Sequence, residues 1–115
     1  DNRRIWIEFG LSYADRGRIE AITTDLQDQL EALPGIDPAK ERLVHFVDYG
    51  ESSLNLRLLC FAAGGAIQDA WTLRQRALLL IGAVVEQAGA SMPFPTRTVI
   101  SAGGPTSVPD AGDPP

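Results

Sequence analysis

The sequence predicts an α+β domain of the ferredoxin-like type, a βαββαβ sandwich in which two helices cover one face of an antiparallel sheet. Segments whose apolar residues alternate, as they do in β-strands, are interrupted twice by segments whose apolar residues recur every three or four positions, as they do in helices. The order along the chain is strand, helix, strand, strand, helix, strand. With right-handed crossovers, this order places the first and third strands in the middle of the sheet.

The first quarter of the chain predicts a strand over residues 3–11 and then a helix. The inward face of this strand consists of Ile5, Ile7, Phe9 and Leu11. Asp15 is predicted to cap the helix, because a carboxylate can accept hydrogen bonds from the free amides of a first turn. Pro34 ends the helix, since its ring excludes the preceding residue from helical geometry. The apolar stripe of the helix consists of Ile19, Ile22, Leu26, Leu30 and Leu33.

A β-hairpin is predicted in the middle of the chain, with strands over residues 42–49 and 52–63 and a turn at Gly50 and Glu51. Which face of the first of these strands is inward stays open, because a one-residue change in the turn exchanges His45 and Val47 for Val44 and Phe46. The second strand alternates throughout and is the predicted centre of the sheet. Its wholly apolar face consists of Leu54, Leu56, Leu58 and Cys60, and its mixed face of Asn55, Arg57, Leu59 and Phe61.

The last part of the chain predicts a long helix, a short strand and a tail. The helix covers residues 66–87, and Gly89 is expected to adopt the left-handed conformation after its end. Residues 92–95 must be extended because they contain two prolines, and residues 97–101 form the last strand. We therefore expect a domain over residues 1–101 and a flexible Gly/Pro-rich tail over 102–115. The predicted buried stripe of the helix consists of Ile67, Trp71, Leu78, Ile81, Val85 and Ala88.

Composition and charge restrict the possible partners. The chain has 115 residues and a net charge of −5, which disfavours nucleic acid because phosphate backbones are bound by clustered Lys and Arg. The single cysteine excludes an internal disulfide and fits a reducing compartment. The longest apolar run, over residues 77–85, is about half of the ~20 residues that a membrane span needs. The chain begins without Met and enters a strand at once, so we expect a domain cut from a longer protein.

No catalytic or metal-binding set is predicted. A two-residue turn sets His45 opposite Leu56, which leaves Cys60 roughly 13 Å further along the strand, beyond the reach of a thiol–imidazole pair. Cys60 is therefore expected to be a small core residue and His45 an ordinary sheet residue. The acidic residues are scattered over helix faces and do not form a metal site, and no cofactor is expected. The chain is not expected to be an enzyme.

The sheet face opposite the helices carries Trp6, Arg57, Leu59 and Phe61 and has no helix left to cover it. Ferredoxin-like sheets can bind RNA through aromatic residues on their central strands, but the acidic balance and the absence of a basic Gly-aromatic signature argue against it. Small phosphatases of this fold need a Gly-rich anion cradle, and residues 10–15 do not provide one. This face is therefore expected to pack against something outside the chain.

Several stretches together resemble the C-terminal cytoplasmic domain of small-conductance mechanosensitive channels, the MscS family. The most specific is Pro-Phe-Pro-Thr-Arg-Thr-Val at 93–99, which follows the long helix and Gly89. The others are Asn-Arg-Arg-Ile at 2–5 and Tyr-Gly-Glu-Ser-Ser-Leu-Asn-Leu-Arg at 49–57. The resemblance covers roughly residues 2–100.

The resemblance implies a homoheptamer in the bacterial cytoplasmic membrane that opens under tension to release ions and small osmolytes. This chain would lie on the cytoplasmic side as part of a hollow cage, and would reach the membrane only through upstream helices. The alternatives that stay open are a small-molecule-binding regulatory module of the same fold and a nucleic-acid binder. The residues expected at the assembly interface are Trp6, Phe61, Pro93, Phe94, Pro95, Thr96, Arg97, Thr98 and Val99.

Overall fold

The structure, a computed structural model, describes residues 3–93 as a three-stranded antiparallel sheet with two α-helices. The strand order is β1-β3-β2, so the predicted α+β class and the central place of the hairpin's second strand are confirmed. The predicted last strand over 97–101 and the tail from 102 lie outside the described residues. The elements are β1 (Arg4–Leu11), a 3₁₀ helix (Tyr13–Arg18), α1 (Ile19–Leu30), β2 (Leu43–Tyr49), β3 (Leu54–Phe61) and α2 (Ile67–Gln87).

The core lies between the helices and the inner face of the sheet. β3 alternates strictly between buried and half-buried residues, and all four residues of its predicted apolar face are buried. On β1, Ile5, Ile7 and Leu11 are buried and Phe9 is partly buried against them, as the alternation predicts. Each large aliphatic side chain buried in this way contributes roughly 1.5–3 kcal/mol relative to an exposed one.

The register of β2 is settled by a β-bulge at Val47. The connection to β3 has four residues, 50–53, instead of the expected two, and the pairing shifts between Phe46 and Asp48. As a result His45 pairs with Arg57, so the expected pairing with Leu56 is wrong. Val44 is buried and Phe46 partly buried, which resolves the inward face. The extra residue returns the following carboxylate to the outer face, where a strict alternation would have turned it inward.

The entry into α1 differs from the prediction that Asp15 is its N-cap. Ser12 caps the 3₁₀ helix, and its Oγ accepts a hydrogen bond from the amide of Ala14. α1 continues from that helix without a side-chain cap at Arg18. Asp15 is buried and bonded elsewhere, so local sequence spacing alone misassigned its role.

The apolar stripe of α1 is confirmed. Ile22, Leu26 and Leu30 are fully buried, and Ile19 and Leu33 are partly buried against the same core. The regular helix ends at Leu30, four residues before the proline that was expected to stop it. The loop that follows returns to the core at one residue, since the buried Ile36 forms a bridge with Ala62.

The predicted buried stripe of α2 is wrong for its N-terminal half. Ile67, Trp71 and Leu78 are exposed, with Trp71 at 66%. The alanines take the core positions instead, because the space between α2 and the sheet fits small side chains there. Gly89 has φ +75° after the helix end at Ala88, as predicted. The buried residues of α2 are Ala70, Leu73, Ala77, Ile81, Val84 and Val85.

Candidate functional site

The candidate site is the outer face of the sheet, which the helices leave uncovered. Strand alternation places every second residue of each strand on this face, and the register arranges them in rows. One row contains Trp6, Leu59 and Leu43, and the next contains Glu8, Arg57 and His45. The residues of this open face are Arg4, Trp6, Glu8, Leu43, His45, Val47, Arg57, Leu59 and Phe61.

Trp6 lies at the centre of the open face and is 41% exposed. The guanidinium of Arg57 lies 4.4 Å from the centroid of its ring, and that of Arg4 lies 5.5 Å away. Glu8 accepts hydrogen bonds from the indole Nε1 at 3.2 Å and from the Arg57 guanidinium at 3.4 Å. The two cations and one carboxylate hold the indole flat against the sheet, which gives it a fixed contact surface.

Phe61 lies in the row beside Trp6, opposite Arg4, and is half-buried. The Lys40 ammonium lies 5.4 Å from the centroid of its ring. The structure therefore brings the two aromatic residues of the sequence prediction to the same face, each next to a cation. Their part in assembly stays a prediction.

Two shallow depressions on the open face bear on the alternative of a small-molecule site. One of about 200 Å³ lies against Trp6, and one of about 330 Å³ lies beside the bulge at Val47. Ligand pockets of typical size have polar groups that converge on the ligand. Here the polar groups bond to each other, since Asn55 donates to Asp48 at 2.8 Å and Arg57 donates to Glu8. The arrangement favours a contact surface over a small-molecule pocket.

The point where the chain leaves the described domain is fixed by Asp15, which is 6% exposed. Its carboxylate accepts a hydrogen bond from the backbone amide of Ser91 at 2.9 Å and pairs with Arg18 at 3.2 Å. The amide of Ser12 donates to the carbonyl of Ser91 at 3.0 Å. Sequence reasoning missed this contact, because its partners are 76 residues apart and no local pattern links them.

Pro93 is the last described residue of the predicted assembly segment, and it lies just beyond this contact, beside the end of β1. The other predicted interface residues of the segment lie outside the described residues. These are Phe94, Pro95, Thr96, Arg97, Thr98 and Val99.

The two residues considered for nucleophilic chemistry lie on opposite faces of the sheet. Cys60 is fully buried, and burial raises the pKa of its thiol to about 11. His45 is on the open face, so the two side chains do not meet. Within residues 3–93 there is no group of three His, Cys, Asp or Glu side chains that could hold a metal ion. None of the described helices combines the length and the apolar character that a membrane crossing requires.

Comparison with known proteins gives one consistent result. A family model described as "Mechanosensitive ion channel MscS, C-terminal" matches residues 5–92. The low conductance mechanosensitive channel YnaI of Escherichia coli (strain K12) is 32% identical over 98 residues, which are 85% of this chain and 29% of that protein. This chain therefore spans about three-tenths of the length of that relative.

Solved structures show the same fold. The cryo-EM structure of Arabidopsis thaliana MSL1 matches with a TM-score of 0.73 and 18% identity over 81% of this chain and 34% of that chain. The crystal structure of Helicobacter pylori MscS in its closed state matches with a TM-score of 0.67 and 23% identity, covering 87% of this chain and 38% of that chain.

Proposed function

The chain belongs to the MscS family of mechanosensitive ion channels, whose C-terminal domain it carries, and on that premise we propose that it forms part of a heptameric cytoplasmic cage in a bacterial channel. In this proposal the channel lies in the inner membrane, and the domain lies on its cytoplasmic side. The channel releases ions and small osmolytes when membrane tension rises. The domain itself is a scaffold with no catalytic role.

The observation that carries the proposal is the open face. A fixed tryptophan with apolar neighbours, Leu43, Val47 and Leu59, forms one surface that no described element covers. Uncovered apolar surfaces of this kind on soluble domains mark contacts with other proteins. Aromatic residues and arginines are enriched at such contacts. Identical copies of the chain are the partners that the family supplies, so the open face is the proposed contact between subunits.

The segment from Pro93 to Val99 is the second proposed element of assembly. Its prolines hold the chain extended, and the contact between Asp15 and Ser91 sets where it starts. We expect residues 96–100 to pair with copies from neighbouring subunits when the channel is assembled. Val99→Pro removes one ladder donor and should weaken cage assembly in the full-length channel, while circular dichroism of this chain stays unchanged. Unfolding of the chain by Val99→Pro would show that the strand belongs to the domain's own core.

The open face is tested in the full-length channel with Leu43→Glu, which puts a charge on that face. The matched control is Leu79→Glu, at an exposed leucine of α2 that is not on the open face. Light scattering of the purified channel should show loss of the oligomer with Leu43→Glu and an intact oligomer with Leu79→Glu. Equal assembly of the two variants would refute the contact, provided that both domains unfold at the same urea concentration.

A further inference from the structure

The exposed large apolar residues of the described chain fall into a few groups. Trp6, Leu43 and Val47 belong to the open face. Tyr13 and Tyr49 stack on each other with ring centroids 6.3 Å apart, and Met92 lies at the chain exit. The remaining four all lie on α2, and neither the core nor the open face accounts for them. They are Ile67, Trp71, Leu78 and Leu79.

Three of these four form a continuous stripe. Ile67, Trp71 and Leu78 are separated by four and seven positions, so they lie on one side of α2 with Arg74 between them. Trp71, Arg74 and Leu78 each follow a buried residue by one position, which places them about 100° around the helix from the core-facing side. Leu79 follows Ala77 by two positions and points away from the stripe. Ile67, Trp71, Arg74 and Leu78 are called the α2 stripe below.

The α2 stripe borders the outer edge of β1. The guanidinium of Arg74 donates to the backbone carbonyl of Trp6 at 3.3 Å, so this side of α2 runs beside the first strand. The open face begins on the other side of the same strand, at the indole of Trp6. The molecule therefore presents two separate apolar surfaces that meet at β1 and point in different directions.

We propose that the α2 stripe of one copy docks on the open face of a neighbouring copy. This inference rests on the proposed function, since it names the surface that the open face contacts. A helix packed on a sheet already forms the core of the domain, and the docked stripe would repeat that layer on the sheet's other side. Trp71 would then bury its ring against Trp6 and Leu59 of the next subunit.

Charge and direction both favour this pairing over contact between two open faces. The α2 stripe carries a cation, Arg74, and no carboxylate, while Glu8 on the open face is exposed and has only a 3.4 Å contact with Arg57. Contact between two open faces would be isologous and would leave the α2 stripe uncovered. Two different surfaces at an angle give a heterologous contact that turns each copy relative to the last, as a closed ring requires.

The size of the expected effect follows from the residue at the centre. Tryptophans in well-packed interfaces commonly cost 2 kcal/mol or more when truncated, which corresponds to about a 30-fold loss in affinity. Trp71 is 66% exposed in the single chain, and Leu79 on the same helix is 67% exposed. Leu79 is therefore a matched control that differs in direction and not in accessibility.

The test is disulfide cross-linking in the full-length channel, with cysteines outside this domain replaced. Trp71→Cys combined with Leu59→Cys should give cross-linked multimers on oxidation, at least ten-fold more than Leu79→Cys combined with Leu59→Cys. Within one chain the sheet separates the two positions of the first pair, so its disulfide can form only between subunits. Cys60 can stay, because it is buried.

Each outcome supports or overturns the inference. Cross-linking of the first pair, together with a ten-fold loss of oligomer for Trp71→Lys and not for Leu79→Lys, supports it. Equal cross-linking of the two pairs in an intact oligomer overturns it and leaves the proposed function standing. An intrachain disulfide between Trp71→Cys and Val99→Cys in the assembled channel also overturns it, because the chain's own segment would then cover the stripe. A parent channel that does not assemble contradicts the proposed function and this inference together.

Discussion

The two faces of β3 carry leucines at nearly every second position but serve different ends. On the inner face Leu54, Leu56 and Leu58 are fully buried beneath the helices. On the outer face Leu59 is half-buried among paired charges, with Arg57 beside it. The inner face supplies the stability of the domain, and the outer face is stable enough to stay in water while it keeps apolar surface available. The same residue type therefore has a different cost of replacement on each face.

The largest expected effect is on the inner face. Leu56→Ala removes a side chain that is 1% exposed, and should lower the free energy of unfolding by about 2–5 kcal/mol because it leaves a cavity in the core. Leu59→Ala on the outer face should cost much less, since no packed layer lies above it. Urea denaturation of the two variants measures the difference. Equal losses would mean that the outer face is covered within this chain.

A smaller effect is expected from Cys60→Ser, also on the inner face. The hydroxyl is close in size to the thiol but brings a polar group into a fully buried position, at a cost of roughly 1–3 kcal/mol. The full-length channel should still open under tension if its domain folds, as measured by patch clamp. Loss of channel activity in a folded Cys60→Ser variant would show that the thiol has a role that the buried position does not suggest.

The pH dependence of Cys60 should sharpen the same comparison. Burial raises the pKa of the thiol to about 11, so the folded chain keeps its proton at pH values where the unfolded chain has lost it. The contribution is complete below the ordinary thiol pKa and is lost as the pH rises toward about 11. The wild-type chain should therefore lose more stability than Cys60→Ala between about pH 8.5 and 11. Parallel pH profiles for the two chains would contradict this.

The smallest expected effect on stability is on the outer face. Trp6→Ala removes two cation–π contacts at an exposed site, each worth about 0.5–1 kcal/mol, and part of an exposed ring. The free energy of unfolding of this chain should fall by about 1–2 kcal/mol. Assembly of the full-length channel should fall by a larger factor. A variant that unfolds the chain but leaves the assembled channel intact would reverse the roles of the two faces.

Alternation in the sequence predicted the two faces of β1 and β3, because the side-chain period of a strand is fixed by its backbone. It did not predict the register of β2, since the bulge at Val47 adds one residue that no alternation reveals. The stripe of α2 was misjudged because large apolar residues were taken as core residues. Trp71 and Leu78 are large and apolar but lie one position past the alanines that face the sheet.

The candidate site was partly predictable for the same reason. Trp6 and Phe61 were placed on the uncovered face by period alone, and the structure puts them there. The indole's contacts with Arg4 and Arg57 depend on side-chain conformations and the pairing register, which spacing does not specify. The contact between Asp15 and Ser91 depends on the whole fold, since it joins the first connection of the chain to its exit.

That exit contact has a mechanical consequence. A pull on the chain beyond Pro93 reaches Ser91 first, where the Asp15 carboxylate and the Ser12 amide hold the backbone from both sides. Each of these hydrogen bonds contributes only about 0.5–3 kcal/mol, far less than the buried core behind them. Load from that direction would break the two bonds before it disturbed β1 or α2. The domain thus has a mechanical fuse at its exit, which lets the segment beyond it be displaced while the fold remains intact.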